Sequence, residues 1–373
     1  MSERQKRGEM DEISIYIHIP FCKRKCSYCA FNSSCAAQGK VDEYINLLCQ
    51  EIVARKTEKP VKTIYIGGGT PSILSSSQIT KIVSTLYENY NIYDNAEFTI
   101  EANPNSITEE ILTTWKGLRV NRLSIGVQTL DDKALKKIGR LHDKKTALQK
   151  IKLARKLFDN VSCDFIIGLE NQNAKDLCRY ASEILSLGIK HISCYLLEVY
   201  DNTELGRMVK GGKYIPLDDE QTIATFNKLS SYLQDKGMER YEISNFAFPS
   251  YESKHNLNYW ARGEYLGFGL SAHTFVEGKR LENAGTVAEY STGKKTEENL
   301  SKTEEIEELI MLGLRCNLGV DLSTVETLGY DITHNSFYED YILQDILRQE
   351  GDRLFLNPVF YHLSNTIISN LIP

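Results

Sequence analysis

Nothing in the 373 residues approaches the run of roughly 20 apolar residues that a membrane-spanning helix needs. The start, MSERQKRGEMDE, is charged and has no apolar signal core, so export is not expected. Nine cysteines is an odd count, scattered without the dense spacing of a secreted disulfide framework. A reducing cytoplasm is therefore the expected setting, with thiolates free to hold metal. A basic stripe is also missing: 44 Lys and Arg face 50 Asp and Glu, a net charge of −6, which gives no footing for nucleic acid. There are no internal repeats, and low complexity is confined to one polar stretch, STGKKTEENLSKTEE. What is left, 42% hydrophobic and 25% charged, is an ordinary globular composition. Its length suits two or three average domains, or one large α/β barrel with an appendage.

Strand-like runs recur at 13–19, 62–68, 97–103, 121–128, 161–168 and 191–197. Helix-like segments such as VDEYINLLCQEIVARK and KTALQKIKLARKLF lie between them, with apolar residues three and four apart. Six repeats of strand then helix predict a parallel sheet built from βα units. Alternation alone leaves open whether that sheet is flat or curled. Strands covered on both faces should be almost continuously apolar. Here Ser14, Tyr16 and His18 oppose four isoleucines, Thr99, Glu101 and Asn103 oppose Phe98 and Ile100, and Ser124, Gly126 and Gln128 oppose Leu123, Ile125 and Val127. A polar face in a parallel sheet must meet either an internal hydrogen-bond network or a polar ligand, and a curled sheet around a cavity provides for the second.

Beyond the sixth run, YEISNFAFPS, HNLNYW and EYLGFGLSAH are rich in aromatic, Gly and Asn residues and predict extra strands and structured loops. The polar stretch then reads as a linker over 286–300, leading into a small helical unit over 301–373 with a late FLNPVF turn.

The chemistry concentrates in IHIPFCKRKCSYCAF, residues 17–31. Cys22, Cys26 and Cys29 follow the first strand, at the end where barrel-type folds carry their active sites. Three thiolates could hold zinc with His18 or Cys35 as the fourth ligand, or an iron–sulfur cluster with one iron left open. Structural or incidental cysteines are the bland alternative. Lys23, Arg24 and Lys25 would offset the negative charge of bound thiolates.

This stretch resembles the signature of the radical S-adenosylmethionine (SAM) superfamily. With YIGGGTPS, TIEANP, LSIGVQT, IGRLH, DFIIGL, YEISNFA and HNLNYW, most of the chain resembles the oxygen-independent coproporphyrinogen III oxidase-like family and its heme-chaperone subgroup, HemW. The resemblance implies a partial (β/α)6 TIM-like barrel over 1–285, with a small, mainly helical C-terminal domain. It implies a [4Fe–4S] cluster on Cys22, Cys26 and Cys29, with SAM chelating the fourth iron. Position by position, Tyr16, Tyr28, Gly68, Gly69, Thr70, Glu101, Gln128, Arg140 and Asp164 become the SAM-contacting set. By the same resemblance, a reduced cluster cleaves SAM to methionine and a 5′-deoxyadenosyl radical.

Porphyrinogen-processing members carry a fourth cysteine two places after the third and a long segment before the motif. This chain has Phe31 there and a short leader, which points to heme binding and delivery to acceptor proteins. Oxidative decarboxylation of coproporphyrinogen III is the alternative, and a colourless Cys3His zinc protein the third reading. HNLNYW matches a heme-associated motif of the subgroup, making His255 the candidate iron ligand beside Tyr259 and Trp260, with His273 a second candidate. The opposing reading makes His255 a histidine satisfied by hydrogen bonds in a packed aromatic loop. Expected partners are heme, its acceptors (some at a membrane surface) and an electron donor for the cluster. The oligomeric state is open, a dimer through the C-terminal helices being one arrangement. Relatives carry Pro and Gly where this chain has Glu170 and Asn171 in GLENQ, a change expected to loosen that turn.

Overall fold

The isoleucines of the first strand-like run all turn one way. In the computed structural model, which describes residues 12–35 and 38–373, Ile13, Ile15, Ile17 and Ile19 are buried against helices. The intervening Ser14, Tyr16 and His18 face the other side of the sheet, as the two-residue period of a strand requires. Six strands repeat this: β1 (Ile13–Ile19), β2 (Val61–Gly68), β3 (Ile92–Ala102), β4 (Arg122–Gln128), β5 (Asn160–Ile167) and β6 (His191–Leu196). They are parallel and adjacent in chain order. The crossovers carry α1 (Gln38–Ala54), α2 (Ser76–Asn89), α3 (Glu109–Gly117), α4 (Asp132–Lys137), α5 (Lys144–Arg155) and α6 (Ala174–Leu185). Most of these helices start on short polar caps: Ser75 and Gln78 form a reciprocal capping box at α2, and Asp143 and Asn173 cap α5 and α6.

Register fixes which polar side chains meet. Ser14 aligns with Thr63 and Tyr16 with Tyr65, then Thr63 with Glu97 and Tyr65 with Thr99. Thr99 aligns with Arg122 and Glu101 with Ser124, Ser124 with Ser162 and Gly126 with Asp164, and Asp164 with Ser193. The polar positions of all six strands therefore share one face. That face is concave. Tyr65 on β2 and Tyr195 on β6 come close enough for their ionisations to influence each other, although four spacings of a flat sheet would hold them roughly 19 Å apart.

After β6 come α7 (Glu204–Lys210), α8 (Asp219–Asp235), β7 (Glu239–Arg240), β8 (Asn245–Ala247), α9 (Lys254–Trp260), β9 (Tyr265–Phe268), β10 (His273–Val276), β11 (Lys279–Asn283), α10 (Val287–Tyr290) and β12 (Lys295–Asn299). β8 pairs antiparallel with β6, and β9 runs parallel beside β1, so the twelve-stranded sheet stays open at both edges.

Three expectations need correction here. HNLNYW is a short helix, α9, rather than a loop: Ser253 caps it and turns its residues to helical spacing. The polar stretch 286–300 holds α10 and β12, not an unstructured linker. β12 is an exposed edge strand, so it needs no apolar face and can be Lys- and Glu-rich throughout. GLENQ is held rather than loosened. Glu170 pairs with Lys137 and accepts from the Ile215 amide at 2.9 Å. Gln172 accepts from the Gly168 amide at 2.8 Å and donates to the Ile166 carbonyl at 2.8 Å. Asn171 takes φ 59°, a left-handed value that Asn tolerates.

The C-terminal unit comprises α11 (Lys302–Gly313), β13 (Val320–Asp321), α12 (Leu322–Thr327), α13 (Tyr338–Leu343), β14 (Leu347–Glu350), β15 (Arg353–Leu356) and α14 (Ser364–Leu371). It has its own core around Ile310, Leu314, Leu354 and Leu371. Its three strands form a separate antiparallel sheet, so the unit is mixed in content. Asn317 donates from its amide to the Tyr241 carbonyl at 2.8 Å, and Arg262 pairs with Glu308 at 2.9 Å, joining the unit to the segment around α9.

Candidate functional site

The cysteine loop leaves β1 and folds back over the C-terminal ends of the strands. Cys22 donates its amide to the Ser34 carbonyl at 3.0 Å, and Ser27 donates to the Ile138 carbonyl at 3.1 Å, pinning the loop on both sides. The next strand end holds it from below. Gly69 donates to the Ile19 carbonyl and Thr70 to the Phe21 carbonyl, both at 2.8 Å. A Cβ on Gly69 would stand 2.7 Å from the Ile19 and Phe21 carbonyl oxygens, so only glycine lets the two chains approach this closely. Gly68 has φ 107°, and a Cβ there would stand 2.4 Å from the His18 ring.

Cys22, Cys26 and Cys29 are partly buried, reduced thiols, near enough for Cys26 and Cys29 to act on Cys22 electrostatically. Among the described residues no three His, Cys, Asp or Glu side chains stand in closed ligating geometry. The donor set nevertheless suits a thiolate-bound centre. Thr70 donates its hydroxyl to the Cys22 sulfur at 3.3 Å and Arg140 its guanidinium to the Cys26 sulfur at 3.5 Å. Such donors stabilise sulfur that carries negative charge. Burial raises the Cys22 thiol, and Thr70 and Ser33 oppose that. The alternative fourth ligands are otherwise engaged. His18 bonds through Nδ1 to Tyr16 at 3.0 Å and through Nε2 to the Asn32 carbonyl at 3.2 Å, and exposed Cys35 donates to the Lys23 carbonyl at 3.5 Å.

Most of the remaining candidates converge below this loop. Tyr65 donates to Glu101 Oε1 at 2.8 Å, and the Gly68 amide to Oε2 at 3.0 Å. Burial lifts the Glu101 carboxyl to about 7, with these two donors and Arg122 pulling against it and Asp164 adding to it. Asp164 accepts from Ser124 at 3.1 Å on both oxygens and is raised by burial against donors from Ser193 and Ser124. Tyr16 stacks on Tyr65 at 6.2 Å between ring centroids. Arg140 donates to the Gly126 carbonyl at 2.6 Å and to Asn103 Oδ1. Gln128 ends β4 at φ 67°, a strain of about 1–3 kcal/mol that structures keep where surroundings demand it. Tyr28 packs beside Ile138, Ile166 and Leu205 with its hydroxyl toward Cys26 and Arg140, and burial raises its phenol. A narrow cleft lined by Lys23, Arg24, Cys26, Thr70, Asn103 and Arg140 opens beside the loop.

Two residues of this layer were not singled out from the sequence. Asn103 bridges Thr70 and Arg140, donating to Thr70 Oγ1 at 2.9 Å, and Tyr65 anchors Glu101. Asn103 lies two residues after Glu101 on the same face, and Tyr65 aligns with the selected Tyr16 on the neighbouring strand, so strand period and register together could have found them.

His255 sits at the opposite, N-terminal end of the strands. It is 1% exposed. Its Nδ1 meets Thr63 Oγ1 at 2.7 Å and its Nε2 meets Tyr259 Oη at 2.9 Å. The Glu97 carboxylate accepts from the His255 amide at 3.0 Å and the Lys254 amide at 3.1 Å, holding the start of α9. Burial lowers the imidazole to about 3. Both ring nitrogens are engaged, Tyr65 stacks on one ring face at 5.1 Å, and an iron ligand here would have to break this packing. His273, exposed at the start of β10, lies 4.0 Å from Glu282.

Known proteins agree with this architecture. Residues 16–184 match the model of the radical SAM superfamily and residues 300–358 that of the HemN C-terminal domain. The heme chaperone HemW of Bacillus subtilis is 40% identical, across 82% of this chain and 84% of that protein. HemW of Escherichia coli is 35% identical across 74% and 75%. The mitochondrial radical S-adenosyl methionine domain-containing protein 1 of Danio rerio is 33% identical across 83% and 74%. Among solved structures, coproporphyrinogen III oxidase (HemN) from E. coli superposes with a TM-score of 0.83 at 22% identity, over 97% of this chain and 90% of that one. At that identity the likeness speaks to the fold.

Proposed function

The chain belongs to the radical SAM superfamily and, within it, to the HemW heme-chaperone family, and from that premise we propose that it binds a [4Fe–4S] cluster, SAM and heme and delivers heme to acceptor proteins. The observation that carries this is the junction of the cysteine loop with the strand ends: Thr70 and Arg140 donate to the Cys22 and Cys26 sulfurs, and the Gly68 amide beside Thr70 donates to Glu101 on the polar face.

In this reading Cys22, Cys26 and Cys29 hold the cluster, which supplies one-electron chemistry to SAM when both are bound. Gly68 and Gly69 let backbone come close to SAM's methionine end, and Thr70 and Arg140 hold the loop and its charge. Glu101 and Asp164 accept hydrogen bonds from ammonium and hydroxyl groups. Arg140 offers a forked donor to a carboxylate. Tyr16, Tyr28 and Gln128 complete the proposed SAM set. Reducing the cluster would take a one-electron donor from outside the chain, and the compartment that suits this reading is the cytoplasm. No helix among the described residues is long and apolar enough to cross a membrane. His255, buried and doubly hydrogen-bonded, is kept in this reading as a support of the concave face, and the heme ligand is left unassigned.

Anaerobically reconstituted protein, reduced and supplied with SAM and coproporphyrinogen III, tests the reading. SAM cleavage without decarboxylated porphyrinogen, together with heme passing to an apo-acceptor, is the expected result. Decarboxylated product over many turnovers would make the protein a dehydrogenase instead.

A further inference from the structure

The three cysteines are not held alike. Cys22 takes a hydrogen bond from Thr70 and Cys26 one from Arg140, whereas among the described residues no side chain donates to the Cys29 sulfur. The Cys29 amide reaches only the Cys26 carbonyl, inside the same loop, at 3.2 Å. Cys29 is therefore placed by the chain on either side of it. Before it, Ser27 is fixed to the Ile138 carbonyl at 3.1 Å and accepts from the Leu205 amide of α7 at 2.8 Å. After it comes Asn32.

Asn32 commits both protons of its side-chain amide to the strands beyond α9. Its Nδ2 donates to Ser271 Oγ and to the Gly285 carbonyl, each at 2.9 Å. These two acceptors stand together across a hairpin, where the Ser271 amide donates to the Ala284 carbonyl at 3.2 Å. Ser271 keeps φ 53°, a left-handed value that serine seldom adopts unless its surroundings fix it. Beneath them Glu51 of α1 accepts from the Gly269 amide at 3.0 Å, Asn283 at 3.0 Å and Tyr290 at 2.6 Å, which anchors the hairpin to the barrel wall. The Asn32 carbonyl is engaged as well. It can only accept, so the His18 Nε2 that meets it at 3.2 Å carries the ring proton, and His18 Nδ1 accepts from the Tyr16 hydroxyl at 3.0 Å. One line of hydrogen bonds thus runs from Tyr16 on the concave face, through His18 and the backbone of the cysteine loop, to the outer strands.

We propose that Asn32 is the positioning residue for Cys29: its forked amide ties the trailing end of the cysteine loop to Ser271 and Gly285, so that the third thiol stands in place for the cluster only while the strands beyond α9 are packed against the loop. The inference rests on the cluster assignment above. It makes the segment that follows α9 part of the metal site although that segment supplies no ligand, as outer partners do around other metal centres. An amide is the group the geometry requires. The Gly285 carbonyl can only accept, so a carboxylate of the same shape would meet it lone pair to lone pair.

The test compares the parent with Asn32→Ala, Asn32→Asp and Ser271→Ala. In apoprotein, alkylation by iodoacetamide is followed at each cysteine by mass spectrometry. Cys29 should react about fivefold faster in both Asn32 variants, the effect of losing roughly one net hydrogen bond. Cys22 and Cys26 should keep their parental rates, and the urea unfolding midpoint should not move. Ser271→Ala leaves the Gly285 bond in place and should give a smaller rise at Cys29. After anaerobic reconstitution, the Asn32 variants should also release iron to a chelator about fivefold faster than the parent. Parental rates in either measurement for both Asn32 variants would overturn the inference. Equal acceleration at all three cysteines would overturn it too, because it would mean a general loosening rather than the placing of one thiol. A parent that takes up no [4Fe–4S] cluster would instead remove the cluster assignment, and the alkylation rates would still decide whether Asn32 places Cys29.

Discussion

Thr63 on β2 and His255 on α9 share a 2.7 Å hydrogen bond that joins the helix of the HNLNYW motif to the inner face of the parallel sheet. Thr63 in turn donates to Ser14 at 2.8 Å, so one histidine ties α9 to two strands at once. Replacing His255 with Ala takes from the Tyr259 hydroxyl its bond to the imidazole, leaves Thr63 with Ser14, and opens a cavity between them. Stability should fall by about 2–4 kcal/mol in urea unfolding, while iron and sulfide content after reconstitution stays at the parental level.

The same burial makes the fold acid-sensitive. His255 is lowered to about 3 by burial and then Arg122, and His142 to about 4 by burial and then Arg140. Below about 6.5 the unfolded chain takes up protons at these positions that the folded chain refuses. Their contribution is therefore complete above about 6.5 and is lost as pH falls towards 4 and 3. Between pH 6 and 4.5, His255→Gln should show a stability slope shallower than the parent's by about one proton, or about 1.4 kcal/mol per pH unit. Parallel slopes would mean that His255 is not held neutral.

Cys22→Ala, Cys26→Ala and Cys29→Ala should each lose the brown absorbance of the reconstituted protein and most of its bound iron. Cys35→Ala should retain both, because Cys35 is exposed and bonds only to the Lys23 carbonyl. Iron retained by Cys26→Ala but lost by Cys35→Ala would reverse the ligand assignment.

Gly69→Ala drives a methyl against two backbone carbonyl oxygens at 2.7 Å, and neither can swing aside as a side chain would. Cluster retention should drop at least tenfold, with the far-ultraviolet circular dichroism little changed, since the clash lies between a loop and a strand end. Parental iron content in this variant would show that the loop does not need the close approach.

Much of this was legible beforehand because the strand period is so regular. Ile13, Ile15, Ile17 and Ile19 announced β1, and the polar residues between them announced a face that needed partners. The cysteine spacing marked the loop where Thr70 and Arg140 now meet two of the thiols. The fate of His255 was not legible. An imidazole beside Tyr259 and Trp260 reads equally well as a ligand or as a packed group. Only the register that sets Thr63 and Glu97 side by side beneath α9 decides which nitrogens are free. The ordering of 286–300 was hidden for a similar reason. An edge strand takes its stability from backbone bonds to β11 and leaves no apolar mark in its side chains. The burial of Arg122 was hidden because a charged residue opening a strand ordinarily points to solvent.

The seal that α9 makes across the N-terminal ends of the strands also has a consequence for traffic. Ser14, Thr63, Arg122, His191, Tyr241 and His255 are all 2% exposed or less, whereas Tyr195 farther along β6 is exposed. The polar face is therefore closed beneath α9 and reached from the end of the strands where the cysteine loop lies. Anything that docks over that loop also covers the approach to the acids behind it.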